Sequence, residues 1–237
     1  MTLGTRLELL EAGGQAGGTM EVSKTSLDEA RAYFTTEMKK INMDISDITD
    51  FNENFKLLKK KVQGGTEDRV DMPVVSWKQI KAFQEKLVNG ELDVKKPFNK
   101  EVTKSIGKFP TKIKKKDRDI WLDSGEQDGS IEDDKVNAKI ETIKAKDLKP
   151  VQSQIYLSKA ITNFEKFGLT KDGNFLTQKT LIIDSNNMII DGHHRWATTM
   201  IADPNIKLKV LRVDLKLSKL LKVSKSFGVA MGNKQNK

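Results

Sequence analysis

Hydrophobic residues recur at helical spacing in the N-terminal half of the chain. Ser26 and Ser76 each stand three residues before a Glu or Gln, the arrangement of a capping box at a helix start. Apolar side chains follow each box every three or four residues, and Gly90 stands where the second of these helices should end. A similar stripe predicts a helix over 47–61. The pattern therefore predicts a mainly helical region over 26–103.

The C-terminal half changes to short apolar runs separated by turn residues. Residues 136–143 fit either a short helix or an extended lead-in. The elements expected after them are a strand that ends at Pro150, a helix through Leu157 and Phe167, a hairpin of residues 181–184 and 188–191, a helix that starts at His193 or His194, and a strand over 207–215. This order of elements is typical of a small mixed sheet covered by helices.

Charge and glycine content suggest the boundaries. Seven basic side chains and one acidic side chain fall between Lys104 and Arg118, and an acidic stretch with two glycines follows. This change of sign predicts a charged linker over 104–130. We therefore expect an α+β fold, with a small mixed-sheet domain over 131–221. A glycine-rich flexible arm over 1–25 and a basic tail over 222–237 would flank the folded parts.

The net charge of +9 and the pI of about 9.4 favour polyanionic partners. DNA is expected to contact the basic linker and the tail, and a protein assembly the N-terminal helices. The chain has no cysteine, which excludes disulfides, thiolate catalysis and cysteine-based zinc sites. No stretch approaches the roughly 18 apolar residues that span a bilayer. We expect no membrane partner. We expect the protein in the cytoplasm or, if the chain is phage-encoded, in the host cytoplasm or the virion.

The predicted junction between strand and helix at residues 191–195 carries the candidate chemistry. The first N–H groups of a helix have no partner within the helix, and the helix dipole adds partial positive charge at this end. A helix start therefore attracts anions. Gly192 permits close approach of a ligand, and Arg195 offers a planar fork for phosphate or carboxylate. His193 and His194 are the only histidines of the chain. Asp191 could hold a histidine tautomer, cap the helix or bind Mg²⁺.

The residues Asp-Gly-His-His-Arg-Trp-Ala from Asp191 on resemble the phosphate-binding box of the ParB/sulfiredoxin superfamily, in the variant with two histidines. Residues 146–154, with Pro150 and two glutamines, resemble the first box of that family. The resemblance implies a ParB/sulfiredoxin-like fold over 131–221, bound nucleotide (ATP or CTP) and Mg²⁺. It implies phosphate or nucleotide contacts from Gly192, His193, His194, Arg195, Gln152 and Gln154, catalytic roles for His193, His194 and Asp191, and a metal contact from Asp191.

Two kinds of function follow from the residues and the resemblance. The first is a nucleotide- or phosphate-binding protein that acts as a nuclease, hydrolyses nucleotides or transfers a phosphoryl group. In it, one histidine moves a proton and Arg195 neutralises charge on phosphate. The alternative is a non-catalytic structural or DNA-binding component of a larger, phage-like assembly. Sulfiredoxin activity is excluded, because that branch uses a cysteine in the same motif. Accessible histidines and bound nucleotide would favour the first kind.

Overall fold

The computed structural model describes residues 55–56, 67–95, 118–126, 129–152, 154–155, 160, 163, 175–202, 204–234 and 236. These residues fall into two compact units. Unit 1 holds the described residues within 1–66, 142–179 and 192–209, and unit 2 those within 67–141, 180–191 and 210–237.

The described residues contain both strands and helices. The strands are β1 (Phe55–Lys56), β2 (Ala138–Lys144), β3 (Lys149–Pro150), β4 (Gln154–Ile155), β5 (Leu181–Ile183), β6 (Met188–Asp191) and β7 (Lys207–Val213). The α-helices are α1 (Ile80–Asn89), α2 (Arg118–Leu122), α3 (Phe175–Gln178), α4 (His193–Ala202) and α5 (Leu217–Ala230). Among these described helices, none has the length and the apolar side chains that a membrane crossing requires.

Five strands form one mixed sheet in the order β2-β7-β5-β6-β3. Strand β5 runs antiparallel to β6 and parallel to β7. The predicted mixture of helices with a small mixed sheet is confirmed. The extended alternative for residues 136–143 is the correct one, since β2 lies there, and β7 confirms the predicted last strand. Outside this sheet, β1 pairs with β4 in an antiparallel two-stranded ribbon.

The predicted hairpin is confirmed by the pairing of β5 with β6. Its turn is held by Asp184, whose carboxylate Oδ1 accepts the backbone N–H groups of Asn186 at 2.7 Å and Met188 at 2.8 Å. Asn187 has φ +67°, a backbone conformation that asparagine tolerates better than most residues. The four consecutive residues 184–187 therefore form the turn that brings the two strands together.

The second predicted capping box is also confirmed. A 3₁₀ turn over Trp77–Gln79 leads into α1, and the side chain of Gln79 accepts the backbone N–H of Ser76 at 3.0 Å. Gly90 ends α1 with φ +75°. This helix buries its apolar stripe in the core of unit 2, where the ring centroids of Phe83 and Phe227 are 4.9 Å apart.

The described residues between Arg118 and Ser130 are folded into unit 2, whereas the sequence predicted a linker up to residue 130. Helix α2 buries Trp121, which is 3% exposed. Gly125 is buried and donates its backbone N–H to the carbonyl of Glu91. Asp134 is fully buried, and its Oδ1 accepts the N–H of Val94 at 2.9 Å. This stretch looks like a linker in sequence, but Gly125 serves close packing and Asp134 a buried hydrogen bond.

The basic tail predicted over 222–237 is replaced by the second half of α5 and the residues after it. Hydrophobic side chains of α5, among them Val223 and Phe227, belong to the core of unit 2. Lys225 is only 9% exposed, and its ammonium lies 3.4 Å from the carboxylate of Asp71. The tail was predicted from its lysines, and the apolar stripe between these lysines was not taken into account.

The helix predicted over 47–61 is wrong at the two residues of it that the structure describes, Phe55 and Lys56. These form β1, because their backbone pairs with Ile155 and Gln154. The arm over 1–25, the helix after Ser26 and the basic residues 104–117 lie outside the described residues. The helix predicted through Leu157 and Phe167 also lies outside them, except for Ala160 and Asn163, which are helical.

Candidate functional site

The start of α4 follows directly on β6, as the sequence predicted. Asp191 is the last residue of β6, and its backbone lies opposite Ile182. Gly192 has φ +106°, a conformation that residues with a Cβ rarely adopt. Its carbonyl accepts the first helical hydrogen bond, from the N–H of Trp196 at 3.0 Å. Glycine is therefore required at this position by the abrupt change of direction from strand to helix.

His193, the first residue of α4, is directed into the interior of unit 1. The side chain is 4% exposed. Its Nε2 atom accepts two backbone N–H groups, from Val151 and from Gln152, each at 3.1 Å. An imidazole nitrogen that accepts hydrogen bonds carries no hydrogen, so the hydrogen of the neutral ring is on Nδ1. The contact joins the start of α4 to the backbone that follows β3.

Burial, together with a smaller effect of the neighbouring His194, lowers the pKa of His193 to about 3. The ring is therefore neutral at pH 7. In the unfolded chain its pKa returns to an ordinary value near 6.5. Between these two values the unfolded state binds a proton that the folded state does not, so the titration of this histidine opposes folding increasingly as the pH falls and has no effect at neutral pH.

The free energy of unfolding is expected to fall through this group as the pH is lowered from about 6.5 toward about 3, with a slope of up to about 1.4 kcal/mol per pH unit. Urea denaturation of wild type and His193→Gln between pH 7 and pH 4 measures this. Other titrating groups contribute equally to both proteins, so the two curves should diverge in acid, with wild type losing more stability. Parallel curves would contradict the expectation.

His194 and Arg195 occupy the rest of the first turn of α4, and both are partly exposed. The Nη1 group of Arg195 donates to the backbone carbonyl of Lys179 at 3.1 Å. The carbonyls of His194 and Arg195 accept the hydroxyls of Thr198 and Thr199. A guanidinium has five N–H donors in one plane, so the bond to Lys179 sets the orientation of that plane.

The side chain of Trp196 anchors α4 within unit 1. It is fully buried, and its Nε1 donates to the carbonyl of Ala145 at 2.8 Å. The hydroxyl of Thr198 reaches the carbonyl of Ala160 at 3.0 Å. Helix α4 also contacts α3 and β4. The turn that carries His194 and Arg195 is therefore held from several sides by residues of unit 1.

The two predicted glutamine contacts are positioned differently. Gln152 is 5% exposed, and its backbone N–H points to His193. Gln154 lies in β4, where its backbone pairs with Lys56. Phosphate contact by either glutamine stays a prediction. The backbone partners Val151 and Lys179 were not found from the sequence, because a backbone N–H or carbonyl exists at almost every position and leaves no pattern to detect.

Asp191 was also predicted to hold Mg²⁺. Within the described part of the chain, no group of three His, Asp or Glu side chains is positioned to hold a metal ion. Mg²⁺ often keeps several waters and uses one or two carboxylates together with substrate phosphates. Asp191 therefore stays a predicted ligand, and no step proposed below depends on a metal.

No protein-family model, no curated protein and no solved structure matches the chain. The likeness to the ParB/sulfiredoxin superfamily consequently rests on the motif residues alone. The chemistry of the site has to be argued from the geometry at the start of α4.

Proposed function

We propose that the chain binds a phosphate group of a nucleotide at the start of α4, with contacts from Gly192 and Arg195. The observation that carries this proposal is the start of α4, at which a positive-φ glycine is followed within three residues by a partly exposed histidine and arginine. A phosphate needs donors and positive charge in a fixed arrangement, and a helix start with an arginine in its first turn provides both.

The electrostatics of the first turn support an anionic ligand. The helix dipole contributes partial positive charge at the N-terminal end of α4. The guanidinium of Arg195 adds a full charge, and its bond to Lys179 limits the directions in which it can point. The described helix α4 carries no acidic side chain in its first turn to oppose them. This arrangement suits an anionic phosphate; the acidic side chain nearest to it in sequence is Asp191, at the end of β6.

The resemblance to the ParB/sulfiredoxin phosphate-binding box supports the same ligand from the sequence side. In the catalytic form of the proposal, the bound nucleotide is hydrolysed or donates a phosphoryl group, or a nucleic acid is cleaved. Arg195 then stabilises the charge that develops on the phosphate. Binding without turnover is the form in which the chain serves an assembly.

Thermal unfolding of the full chain with ATP, ADP, CTP or GTP, each with and without Mg²⁺, tests the proposal. A ligand at one hundred times its dissociation constant should add about 2.7 kcal/mol of stability. We expect a shift with at least one nucleotide. In Arg195→Ala, the dissociation constant measured by calorimetry should rise about 10- to 100-fold, because a hydrogen bond to a charged group is lost.

The control is Lys219→Ala, which removes one positive charge from an exposed position on α5 in unit 2. This variant should keep the nucleotide shift of wild type. Arg195→Ala also loses the bond to Lys179, so each shift is compared with the ligand-free unfolding temperature of the same variant. No shift with any nucleotide at millimolar concentration would rule out the proposed function. A shift accompanied by release of phosphate would identify an enzyme.

A further inference from the structure

Two consecutive backbone N–H groups converge on one atom in unit 1. Val151 and Gln152 both donate to Nε2 of His193, each at 3.1 Å. Consecutive N–H groups that point to the same place form a concave donor site, which in other proteins holds an anion. Here the acceptor is the uncharged imidazole of the chain itself. In this contact His193 therefore acts as a hydrogen-bond acceptor and not as a proton donor.

The three residues that form this contact are all buried. Val151 is 1% exposed, Gln152 5% and His193 4%. A buried N–H that loses its acceptor cannot turn to water instead, so removal of the imidazole takes an acceptor away from two buried donors at once. A side chain with an acceptor at the same reach, such as glutamine, can replace it.

The neighbouring histidine is oriented differently. Successive residues of a helix point about 100° apart, so His194 cannot share the inward direction of His193. Its side chain is partly exposed, on the same turn as Arg195. The pair therefore presents one ring to the interior of unit 1 and another toward its surface.

We propose that the two histidines have separate roles: His193 is a positioning residue that holds the 151–152 backbone against the start of α4 through its Nε2 acceptor, and His194 contacts the bound phosphate. The second half of this inference rests on the proposed function. The first half concerns only the contact and holds with or without a ligand. It replaces the proton-transfer role predicted for His193 from the sequence.

The experiment compares wild type with His193→Gln, His193→Leu and His194→Gln in the full chain. Amide hydrogen exchange at Val151 and Gln152 reports the positioning contact without any ligand. The ¹⁵N spectrum of the imidazoles reports which ring nitrogen of His193 carries the hydrogen. Calorimetric titration with ATP, CTP and inorganic pyrophosphate reports binding.

We expect His193→Gln to keep the exchange protection and the affinity of wild type within about threefold, because its side-chain oxygen accepts the two N–H groups. His193→Leu should lose about tenfold or more in both, because two buried N–H groups lose the acceptor that His193 provides. His194→Gln should keep the protection but weaken binding by about fivefold or more. The His193 ring should show hydrogen on Nδ1.

Several results would overturn the inference. If His193→Gln weakened binding as much as His193→Leu while protection stayed at the wild-type level, His193 would be a ligand contact. Hydrogen on Nε2, or unchanged protection in His193→Leu, would disprove the positioning contact. If His193→Leu does not fold, the glutamine variant and the spectrum still decide the first half. If wild type binds none of the three probes and neither ADP nor GTP, the proposed function and the role of His194 fail together, whereas the exchange data still decide the role of His193.

Discussion

Replacing Gly125 with alanine is expected to lower the free energy of unfolding by about 3 kcal/mol or more. A Cβ at this position would overlap the carbonyl oxygen of Gly90 and lie 3.0 Å from its carbonyl carbon and 3.2 Å from that of Glu91. These are backbone atoms, which cannot turn aside as a long side chain can. The N–H of Gly125 also donates to Glu91 at 2.9 Å, so the two segments cannot separate without losing this bond. Urea denaturation followed by circular dichroism measures the loss.

Gly129→Ala is the matched control for this prediction, four residues further along the same segment. A Cβ at Gly129 would meet no atom of the described part of the chain within 4 Å, although its φ of +108° disfavours any residue with a Cβ. The control should therefore cost only about 1–2 kcal/mol, from backbone strain alone. Equal, small losses in the two variants would mean that residues 118–130 are a linker after all.

Replacing Trp196 with alanine is expected to cost about 3–5 kcal/mol, the range for removal of a large buried aromatic side chain. The indole is fully buried in unit 1, and its Nε1 donates to Ala145 at 2.8 Å. The substitution leaves a cavity beneath α4 and removes one of the two donors to the carbonyl of Ala145, which also accepts the N–H of Leu148. Because α4 carries His194 and Arg195, we also expect weaker nucleotide binding where Trp196→Ala still folds. Denaturation followed by circular dichroism and calorimetric titration measure the two effects.

Trp77→Ala serves as the control, because it removes the same side chain from a position that is 49% exposed. Its loss should be below about 1 kcal/mol, in the range of surface substitutions. Circular dichroism is preferred to fluorescence here, since each variant lacks a tryptophan. A loss for Trp196→Ala as small as that for Trp77→Ala would contradict the anchoring role given to Trp196.

The location of the candidate site could be predicted from the sequence, but its internal arrangement could not. The residues around Asp191 predicted that a strand ends and a helix begins there, and Gly192 allows the abrupt turn. Which of the two histidines would be buried was undecided, because the motif treats them alike. Only the contact with Val151 and Gln152, more than forty residues earlier in the chain, distinguishes them.

The fold of the charged segments could likewise not be predicted from the sequence. Lysines and acidic residues between glycines are typical of linkers, and the sequence was interpreted as a linker over 104–130 and as a basic tail over 222–237. The buried Asp134 and Lys225 have polar partners in distant segments, Val94 for the first and Asp71 for the second. A charged residue can be buried when such a partner exists, and composition does not reveal the partner.

The sequence by itself determined the elements whose hydrogen bonds and caps lie within a few residues. These are α1 with its capping box and Gly90, the hairpin with its turn at Asp184, and the start of α4 after Gly192. The tertiary structure alone decided that Gly125 packs against the backbone of Gly90 and that His193 turns inward to two distant amides. The physical reason is range: local hydrogen bonds and periodicity are encoded in neighbouring residues, whereas burial depends on which distant segments the folded chain brings together.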